Sequence, residues 1–207
     1  MTSYFITSTG TDIGKTHTIA GLIRAGRELK RDFAAIKPIL TGYDSETAAT
    51  SDSAVLLDAM GRQNTPRNIA TISPWRFATP LSPDMAAARE GKRIAMKDLL
   101  TFCQAAIAAA PGTLLIEGIG GCAVPLNDED VVADWIAALD IPTILVAGTF
   151  LTAQGIKIAA IVLNESVNAP VLAEEVAGSL ERFASCPIHI IPRDFDDGSF
   201  RRLASSL

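Results

Sequence analysis

The segment Ser8-Thr-Gly-Thr-Asp-Ile-Gly-Lys-Thr16 is the most informative stretch of the sequence. It directly follows a short apolar run, Tyr4–Ser8, that has the length of a β-strand, and it leads into Lys15–Leu29, where apolar residues recur with helical periodicity. In a strand–loop–helix unit of this type, backbone N–H groups and the helix N-terminus face an anion, while a lysine reaches the β- and γ-phosphates. We therefore predict a nucleotide-phosphate site around Gly14-Lys15-Thr16, with an ordinary strand-to-helix turn as the alternative interpretation.

This loop departs from the regular phosphate-loop pattern. The spacing Gly-x-x-x-x-Gly-Lys-Thr requires a glycine at position 9, which is Thr9, whereas Gly10 stands one place later. Thr16 keeps the hydroxyl that binds Mg²⁺ in such loops. His17 falls in the first turn of the predicted helix, and we interpret it as a helix residue that contacts solvent or phosphate rather than as an acid or base.

Outward from this loop, short apolar segments alternate with longer segments of helical periodicity. Further strands are predicted at Phe33–Lys37, Thr113–Glu117, Thr143–Gly148, Ile158–Asn164 and Ile188–Ile191. Further helices are predicted at Ser53–Met60, Met96–Ala110, Val131–Leu139 and Val171–Phe183. Because strand apolarity is continuous rather than alternating, helices should cover both faces of a parallel sheet. The sequence predicts one domain, residues 1–207, with a three-layer α/β/α fold around a mostly parallel central sheet.

One predicted connection is too short to contain a helix. Residues Thr149 to Lys157 join the strands Thr143–Gly148 and Ile158–Asn164, whereas a crossover between neighbouring parallel strands needs at least about 10–12 residues. Our hypothesis is that residues are missing between Thr149 and Gln154. The alternatives are a natural deletion and strands that are not neighbours in the sheet.

Composition and charge exclude several classes of protein. Hydrophobic residues make up 48% and charged residues 20% of the 207 residues, so neither disorder nor a fibrous repeat is expected. The net charge of -5, the lack of a basic cluster and the lack of an apolar run of about 18 residues exclude nucleic acid and membrane as expected partners. Met1 to Gly10 carry no secretory-signal pattern, so we expect a cytoplasmic location. Three widely spaced cysteines and two histidines favour neither a disulfide framework nor a multi-histidine metal centre.

Two further segments deliver polar side chains to predicted strand ends. Thr113–Glu117 ends in a carboxylate before Gly118-Ile-Gly-Gly121, and a carboxylate at such a strand end holds Mg²⁺ in phosphate-loop enzymes. Lys37 ends another strand before Pro38, where its ammonium can neutralise developing phosphoryl charge. Because ligands bind at the carboxyl ends of parallel strands, Glu117 and Lys37 are candidate site residues. The alternatives are a flexible turn after Glu117 and a solvent-exposed Lys37.

Taken in order, these motifs resemble those of the ATP-dependent dethiobiotin synthetase family, whose fold is of the P-loop NTPase type. The resemblance covers most of the chain. It rests on Thr9–Thr16, Lys37-Pro38 with Thr41-Gly42, Ser51-Asp52-Ser53, Pro80-Leu-Ser-Pro83, Glu117-Gly-Ile-Gly-Gly121 with Pro125-Leu126, and Asn164 at a strand end. It implies ATP- and Mg²⁺-dependent carboxylation and ring closure of 7,8-diaminononanoate with CO₂ or bicarbonate, giving dethiobiotin, ADP and phosphate. It also implies a homodimer whose diamine site includes the partner subunit.

The same resemblance implies roles for individual residues. Lys37 matches the catalytic lysine that bridges carbamate and γ-phosphate, and Thr41 matches a substrate contact. The implied Mg²⁺ ligands are Thr16, Asp52 and Glu117. The residues expected to bind ATP are Asp12, Ile13, Gly14, Lys15, Thr16, His17, Asp52, Glu117, Gly118, Ile119, Gly120, Asn164, Pro192, Arg193 and Asp194. Asn164 would read the adenine edge with its amide. The chain departs from the family where Thr41 replaces a frequent serine and Ser8 a common glycine.

Other functions remain as alternatives. A partitioning-type ATPase would act as a nucleotide-switched dimer, but such proteins usually carry a second lysine early in the phosphate loop, where this chain has Ser8–Asp12. An amide-forming synthase of the cobyrinic-acid type would normally need a glutaminase domain, for which the chain lacks the length. A nucleotide-binding regulator without chemistry is the third alternative.

Overall fold

A computed structural model describes residues 2–46, 48–147, 158–164, 172–181, 186–192 and 197–206 of the chain. The strands among these residues are β1 Ser3–Ser8, β2 Phe33–Ile36, β3 Ile39–Thr41, β4 Trp75–Phe77, β5 Thr113–Glu117, β6 Thr143–Ala147, β7 Ile158–Asn164 and β8 Ile188–Ile191. Six of them form one sheet in the order β2-β5-β1-β6-β7-β8, in which every neighbouring pair is parallel. The other two, β3 and β4, form a separate parallel pair.

Helices connect most of these strands. They are α1 Lys15–Glu28, α2 Asp52–Ala59, α3 Pro66–Ile72, α4 Pro83–Arg89, α5 Met96–Ala109, α6 Val132–Leu139, α7 Ala173–Leu180 and α8 Asp197–Ser206. Helix starts follow local signals: Ser51 Oγ accepts a hydrogen bond from the Ala54 N–H at the start of α2, and Thr65 caps α3 in the same way. Within the described ranges, no helix has both the length and the apolarity to cross a membrane.

The central strands are covered on both faces. All six residues of β1 are buried, and Phe5 and Ile6 are fully buried. Successive side chains of a strand point to opposite faces, and the Phe5 ring meets the Trp135 ring of α6 edge to face with centroids 4.7 Å apart. Ile6 therefore faces the opposite layer. Helix α1 packs against both α2 and α8. The predicted three-layer α/β/α fold with a mostly parallel sheet is confirmed.

Some element boundaries differ from the predicted ones. β2 ends at Ile36 rather than at Lys37, because the Lys37 N–H leaves the sheet and donates to Ile72 O at 3.1 Å, and Pro38 has no N–H to continue a ladder. The structure also contains elements that the sequence did not predict, namely β3, β4, α3, α4 and α8. Of these, α8 closes the layer over α1 through the buried side chains of Phe200 and Leu203.

The strands β6 and β7 are neighbours and pair in parallel. This pairing excludes the alternative in which the two strands lie apart in the sheet. Residues 148–157, which join them, lie outside the described residues. The hypothesis of missing residues between Thr149 and Gln154, and the alternative of a natural deletion, therefore stay predictions.

Candidate active site

The phosphate loop, Lys37 and Glu117 meet at one edge of the sheet. Strands β2, β5 and β1 are consecutive in the sheet, and the three features lie at the carboxyl ends of these strands. They line a cavity of about 770 Å³, a volume within the usual range for small-molecule sites. The lining residues are Thr11, Asp12, Gly14, Lys15, Thr16, His17, Lys37, Leu40, Thr41, Asp52, Pro80, Leu81, Ser82, Pro83, Glu117, Ile119, Gly120 and Val124.

The backbone of the phosphate loop is shaped for an anion. Gly14 precedes α1 with φ of 96°, a left-handed conformation that glycine adopts without strain, and Asp12 also has a positive φ of 57°. Successive N–H groups in turns of this kind form an anion-binding concavity. Gly14 offers no side-chain cap to α1, which leaves the first turn of the helix to bind an anion.

The ammonium group of Lys15 is held between two loops. Its Nζ donates hydrogen bonds to Ser8 Oγ at 2.8 Å, to Gly120 O at 3.0 Å and to Gly10 O at 3.1 Å. Burial lowers the pKa of Lys15, and the opposing charge of Glu117 only partly compensates for this. Lys15 therefore supplies a buried, well-partnered cation at the wall of the cavity.

Lys37, Asp52 and Glu117 form a network of ion pairs. Lys37 Nζ donates to Glu117 Oε1 at 2.7 Å and also donates to Asp52 Oδ2, while Thr16 Oγ1 donates to Glu117 Oε1 at 2.7 Å. Burial alone would lower the pKa of Lys37, but the charges of Glu117 and Asp52 outweigh burial and raise it. Lys37 is 5% exposed, so the alternative of a solvent-exposed lysine is excluded.

Asp52 reaches this network from the first turn of α2. The Ser51 cap fixes the start of that helix, so the aspartate is placed at the helix N-terminus, where negative charge is favoured. Burial opposes its ionisation, but the charge of Lys37 and the hydrogen bond from its ammonium outweigh burial and lower the pKa of Asp52. Asp52 is thus an ionised carboxylate at neutral pH, with part of its side chain open to the cavity.

The oxygen atoms around Lys37 fit a divalent cation such as Mg²⁺. The side chain of Glu117 is fully buried, and its Oε2 atom has no hydrogen-bond partner in the described part of the chain. A buried carboxylate oxygen of this kind is costly unless a cation satisfies it. Mg²⁺ usually takes one or two carboxylates together with phosphate oxygens and waters. The described residues contain no cluster of three or more His, Cys, Asp and Glu side chains that could hold a metal ion.

Thr41 is brought to the cavity by the small sheet. In the pairing of β3 with β4, Thr41 lies opposite Phe77, and the next residue, Gly42, donates its N–H to Thr79 O at 3.2 Å. These contacts anchor the segment that follows Lys37. The half-buried Thr41 therefore lines the same cavity as Lys15 and Lys37.

Known proteins resemble this chain over most of its length. A family model described as an AAA domain matches residues 2–191. ATP-dependent dethiobiotin synthetase BioD from Acidiphilium cryptum is 47% identical over 196 residues, covering 88% of each chain. The protein of the same name from Methylobacterium nodulans is 40% identical over 212 residues, covering 93% of this chain and 94% of its own. The chain belongs to the dethiobiotin synthetase family.

Membership of the dethiobiotin synthetase family confirms the predicted resemblance and the assignment to ATP-dependent enzymes that form dethiobiotin. The chain also belongs to the AAA domain family, in agreement with the predicted P-loop type of fold. Among solved structures, HypB from Helicobacter pylori in complex with nickel covers 99% of this chain and 84% of its own, at 12% identity and a TM-score of 0.49. That likeness is too weak to carry a conclusion.

Not all residues that the resemblance assigned to ATP are among the described residues that line the cavity. Ile13 packs against the hydrophobic core, and the Gly118 N–H donates to Ile6 O at 2.9 Å within the sheet. Asn164 and Pro192 stand at the carboxyl ends of β7 and β8, at the same edge of the sheet as the phosphate loop but further along it. Arg193 and Asp194 lie outside the described residues.

The sequence did not identify every residue of the site. The segment Pro80-Leu-Ser-Pro83 lines the cavity, and its signal in the sequence is that it forms part of the resemblance to dethiobiotin synthetases. Val124 and Leu40 had no comparable signal. Ser8 was noted only as a departure from a common glycine, although its hydroxyl accepts a hydrogen bond from Lys15.

Proposed function

We propose that this member of the dethiobiotin synthetase family converts 7,8-diaminononanoate, CO₂ or bicarbonate, and ATP to dethiobiotin, ADP and phosphate in the cavity described above. The observation that carries the proposal is the convergence of two lysines with three oxygen-bearing side chains at one edge of the sheet. An ATP-dependent ring closure needs both kinds of group, because cations neutralise the transferred phosphoryl group and oxygen ligands hold a metal.

The chemistry divides into three steps. One amine of the substrate adds to CO₂ and loses a proton, which gives a carbamate. A carbamate oxygen then attacks the γ-phosphorus of ATP, and ADP leaves. The second amine attacks the activated carbonyl carbon, releases phosphate and closes the ureido ring. Because each step builds or moves negative charge, the protein has to contribute positioning and charge neutralisation more than covalent chemistry.

Each step has a candidate residue in the cavity. Lys15 and the other loop residues of Asp12–His17 would bind the β- and γ-phosphates, and all of them except Ile13 line the cavity. Lys37 would bridge the carbamate and the γ-phosphate, and its position at the cavity wall and its raised pKa support this role. Thr41, which lines the cavity, would offer its hydroxyl to the substrate. Gly118 to Gly120 are also part of the proposed ATP site, and Ile119 and Gly120 line the cavity.

Thr16, Asp52 and Glu117 would hold Mg²⁺, and this assignment is supported by Glu117 Oε2, which lacks a hydrogen-bond partner among the described residues. When bound, the ion would supply positive charge to the terminal phosphates of ATP. The chain itself supplies the hydroxyl and the two carboxylates, and Lys37 forms an ion pair with each carboxylate.

We also propose that the enzyme is a cytoplasmic homodimer whose second subunit completes the diamine site. The substrate carries a carboxylate at the end of its aliphatic chain, and this group needs a cation or free N–H groups. Among the described residues that line the cavity, Lys15 and Lys37 are the only lysines or arginines, and both are assigned to phosphate and carbamate. The carboxylate therefore requires a group from outside this set.

The proposal is tested by incubating the purified chain with diaminononanoate, ATP, Mg²⁺ and ¹⁴C-labelled bicarbonate, and then acidifying the mixture. A free carbamate loses its label as CO₂ in acid, whereas the ureido ring keeps it. We expect acid-stable label in dethiobiotin, formed in proportion to the ADP released. Lys97→Ala, which removes an exposed lysine of α5, is the matched control and should retain full activity.

The same experiment separates the alternative functions. Phosphate release without acid-stable label, even when all substrates are present, would favour a partitioning-type ATPase switch and would contradict the synthetase proposal. ATP binding with neither phosphate release nor label would favour a nucleotide-binding regulator. ADP and phosphate release that depends on ammonia and a carboxylate substrate in place of the diamine, without acid-stable label, would indicate an amide-forming synthase.

A further inference from the structure

We infer that Ser8 is a positioning residue of the phosphate loop, whose hydroxyl fixes the ammonium of Lys15 between the two loops that flank the triphosphate. The inference rests on the proposed function, because it takes Lys15 as the cation that binds the phosphates. Ser8 is the last residue of β1 and is fully buried, so its side chain has no access to solvent and its hydroxyl has to be satisfied within the protein.

The hydrogen bonds of Ser8 have a fixed direction. An ammonium group can only donate, so Ser8 Oγ accepts from Lys15 Nζ at 2.8 Å. The single hydroxyl proton then goes to Gly10 O at 2.5 Å, since Gly120 O lies further away at 3.2 Å. The result is a chain of donors that runs from Lys15 through Ser8 into the phosphate loop. A hydroxyl can accept and donate at once, which neither alanine nor glycine can do in this place.

Ser8 also joins the phosphate loop to the glycine segment Gly118–Gly121. Lys15 Nζ donates to Gly10 O of the first loop and to Gly120 O of the second, and Ser8 is the third acceptor of the same ammonium. The two loops are already in close contact, because a Cβ atom on Gly121 would lie 3.2 Å from the backbone of Thr9 and 3.3 Å from Ser8 O. Three acceptors from two loops therefore leave the ammonium little freedom to move.

This arrangement predicts how Ser8 acts. Loss of the hydroxyl leaves the buried ammonium with one unpaired donor and releases the Gly10 carbonyl from its side-chain partner. Because Ser8, Gly10 and Gly120 take its three donors, Lys15 acts on the triphosphate through its positive charge, and without Ser8 that charge would no longer be held in one place. The effect reaches the nucleotide through Lys15, since Ser8 is not among the residues that line the cavity.

The test is a double-mutant cycle on the intact chain with Ser8→Ala and Lys15→Met. Binding of the Mg²⁺ complex of AMP-PCP is measured by isothermal titration calorimetry, which needs no turnover. We expect Ser8→Ala to weaken binding about tenfold, the effect of one hydrogen bond to a charged group. In the Lys15→Met background the same substitution should change the affinity less than about twofold, because the partner is gone.

The outcomes separate a positioning role from a structural one. If Ser8→Ala weakened nucleotide binding equally with and without Lys15→Met, or did not weaken it when Lys15 is present, the inference would be overturned. An unchanged affinity for Lys15→Met alone would contradict the proposed role of Lys15, and the inference would fall with it. If Ser8→Ala does not fold, Ser8→Gly takes its place in the cycle. Ser73→Ala is the matched control. Ser73 is a fully buried serine that does not line the cavity, and its hydroxyl is hydrogen-bonded to Ser53 Oγ at 2.6 Å. This substitution should lower thermal stability without changing the affinity for the nucleotide.

Discussion

Lys37 Nζ lies 2.7 Å from Glu117 Oε1, although the two residues are 80 positions apart in the sequence. The register of the sheet brings them together, because Ile36 of β2 pairs with Ile116 of β5, and the residue that follows each of them in the sequence emerges at the same edge. Both side chains are buried, so neither charge can be satisfied by solvent. The pair therefore links the architecture of the sheet directly to the chemistry of the cavity.

Lys37→Ala should abolish most turnover while nucleotide binding is retained. The substitution removes the cation that is placed to neutralise carbamate and γ-phosphate, and loss of such a group costs on the order of 100-fold in turnover or more. Turnover is measured as dethiobiotin formed, and binding as calorimetric affinity for AMP-PCP with Mg²⁺. Lys97→Ala serves as the control. Turnover close to that of the unmodified chain would show that Lys37 has no catalytic role.

Glu117→Gln should weaken divalent-cation binding while leaving a hydrogen-bond acceptor for Lys37. The amide keeps the shape of the carboxylate but removes its charge and replaces the second oxygen with a donor. We expect the affinity for Mn²⁺ in the presence of ADP, measured by electron paramagnetic resonance, to fall about tenfold or more. The exposed Glu129 provides a control as Glu129→Gln. Equal Mn²⁺ affinities in the two variants would contradict the metal assignment.

Asp52 should contribute stability that depends on pH. Burial opposes its ionisation, but the charge of Lys37 and the hydrogen bond from its ammonium lower its pKa below the ordinary value of 3.8. The folded chain therefore releases this proton more readily than the unfolded chain, and the contribution is complete above pH 3.8 and lost as pH falls through the lowered pKa. The difference in free energy of unfolding between the unmodified chain and Asp52→Asn should therefore shrink as the pH falls through the lowered pKa. Urea denaturation across the acid range measures it, and a difference that is independent of pH would contradict the account.

Cys103 should resist alkylation in the folded protein. Burial raises the pKa of its thiol to about 12, and the thiolate is the reactive form. At pH 8 only about one molecule in ten thousand would carry the thiolate, and the side chain is also inaccessible. Peptide mapping after iodoacetamide treatment should find Cys103 unmodified in the native chain and modified after unfolding in urea. Similar modification in both states would be inconsistent with the buried thiol.

Most of the sheet was predictable from the sequence, because its strands are short, apolar and separated by segments of helical periodicity. The small sheet was not, since Ile39–Thr41 and Trp75–Phe77 are three residues long and pair only with each other among the described strands. Helix α8 was also missed. It is polar apart from a few residues such as Phe200 and Leu203, and it is stabilised by packing on α1, far away in the sequence.

The features of the site likewise fall into those that could be predicted from the sequence and those that could not. Lys15, Thr16, Lys37 and Glu117 follow strands in recognisable patterns, so their convergence could be predicted from topology. The contact of Ser8 with Gly120 could not, because it joins residues 112 positions apart and depends on how closely two loops approach. No local pattern encodes such a distance.

We expect the triphosphate of ATP to bind between Lys15 and Lys37, beside the oxygen atoms of Thr16, Asp52 and Glu117. A crystal structure of the chain with AMP-PCP and Mg²⁺ tests this without the need for turnover. Terminal phosphate oxygens should lie beside both lysine ammonium groups, and a metal ion should be bound by those three side chains. A nucleotide whose phosphates lie at another edge of the sheet, or contact neither lysine, would disprove this arrangement.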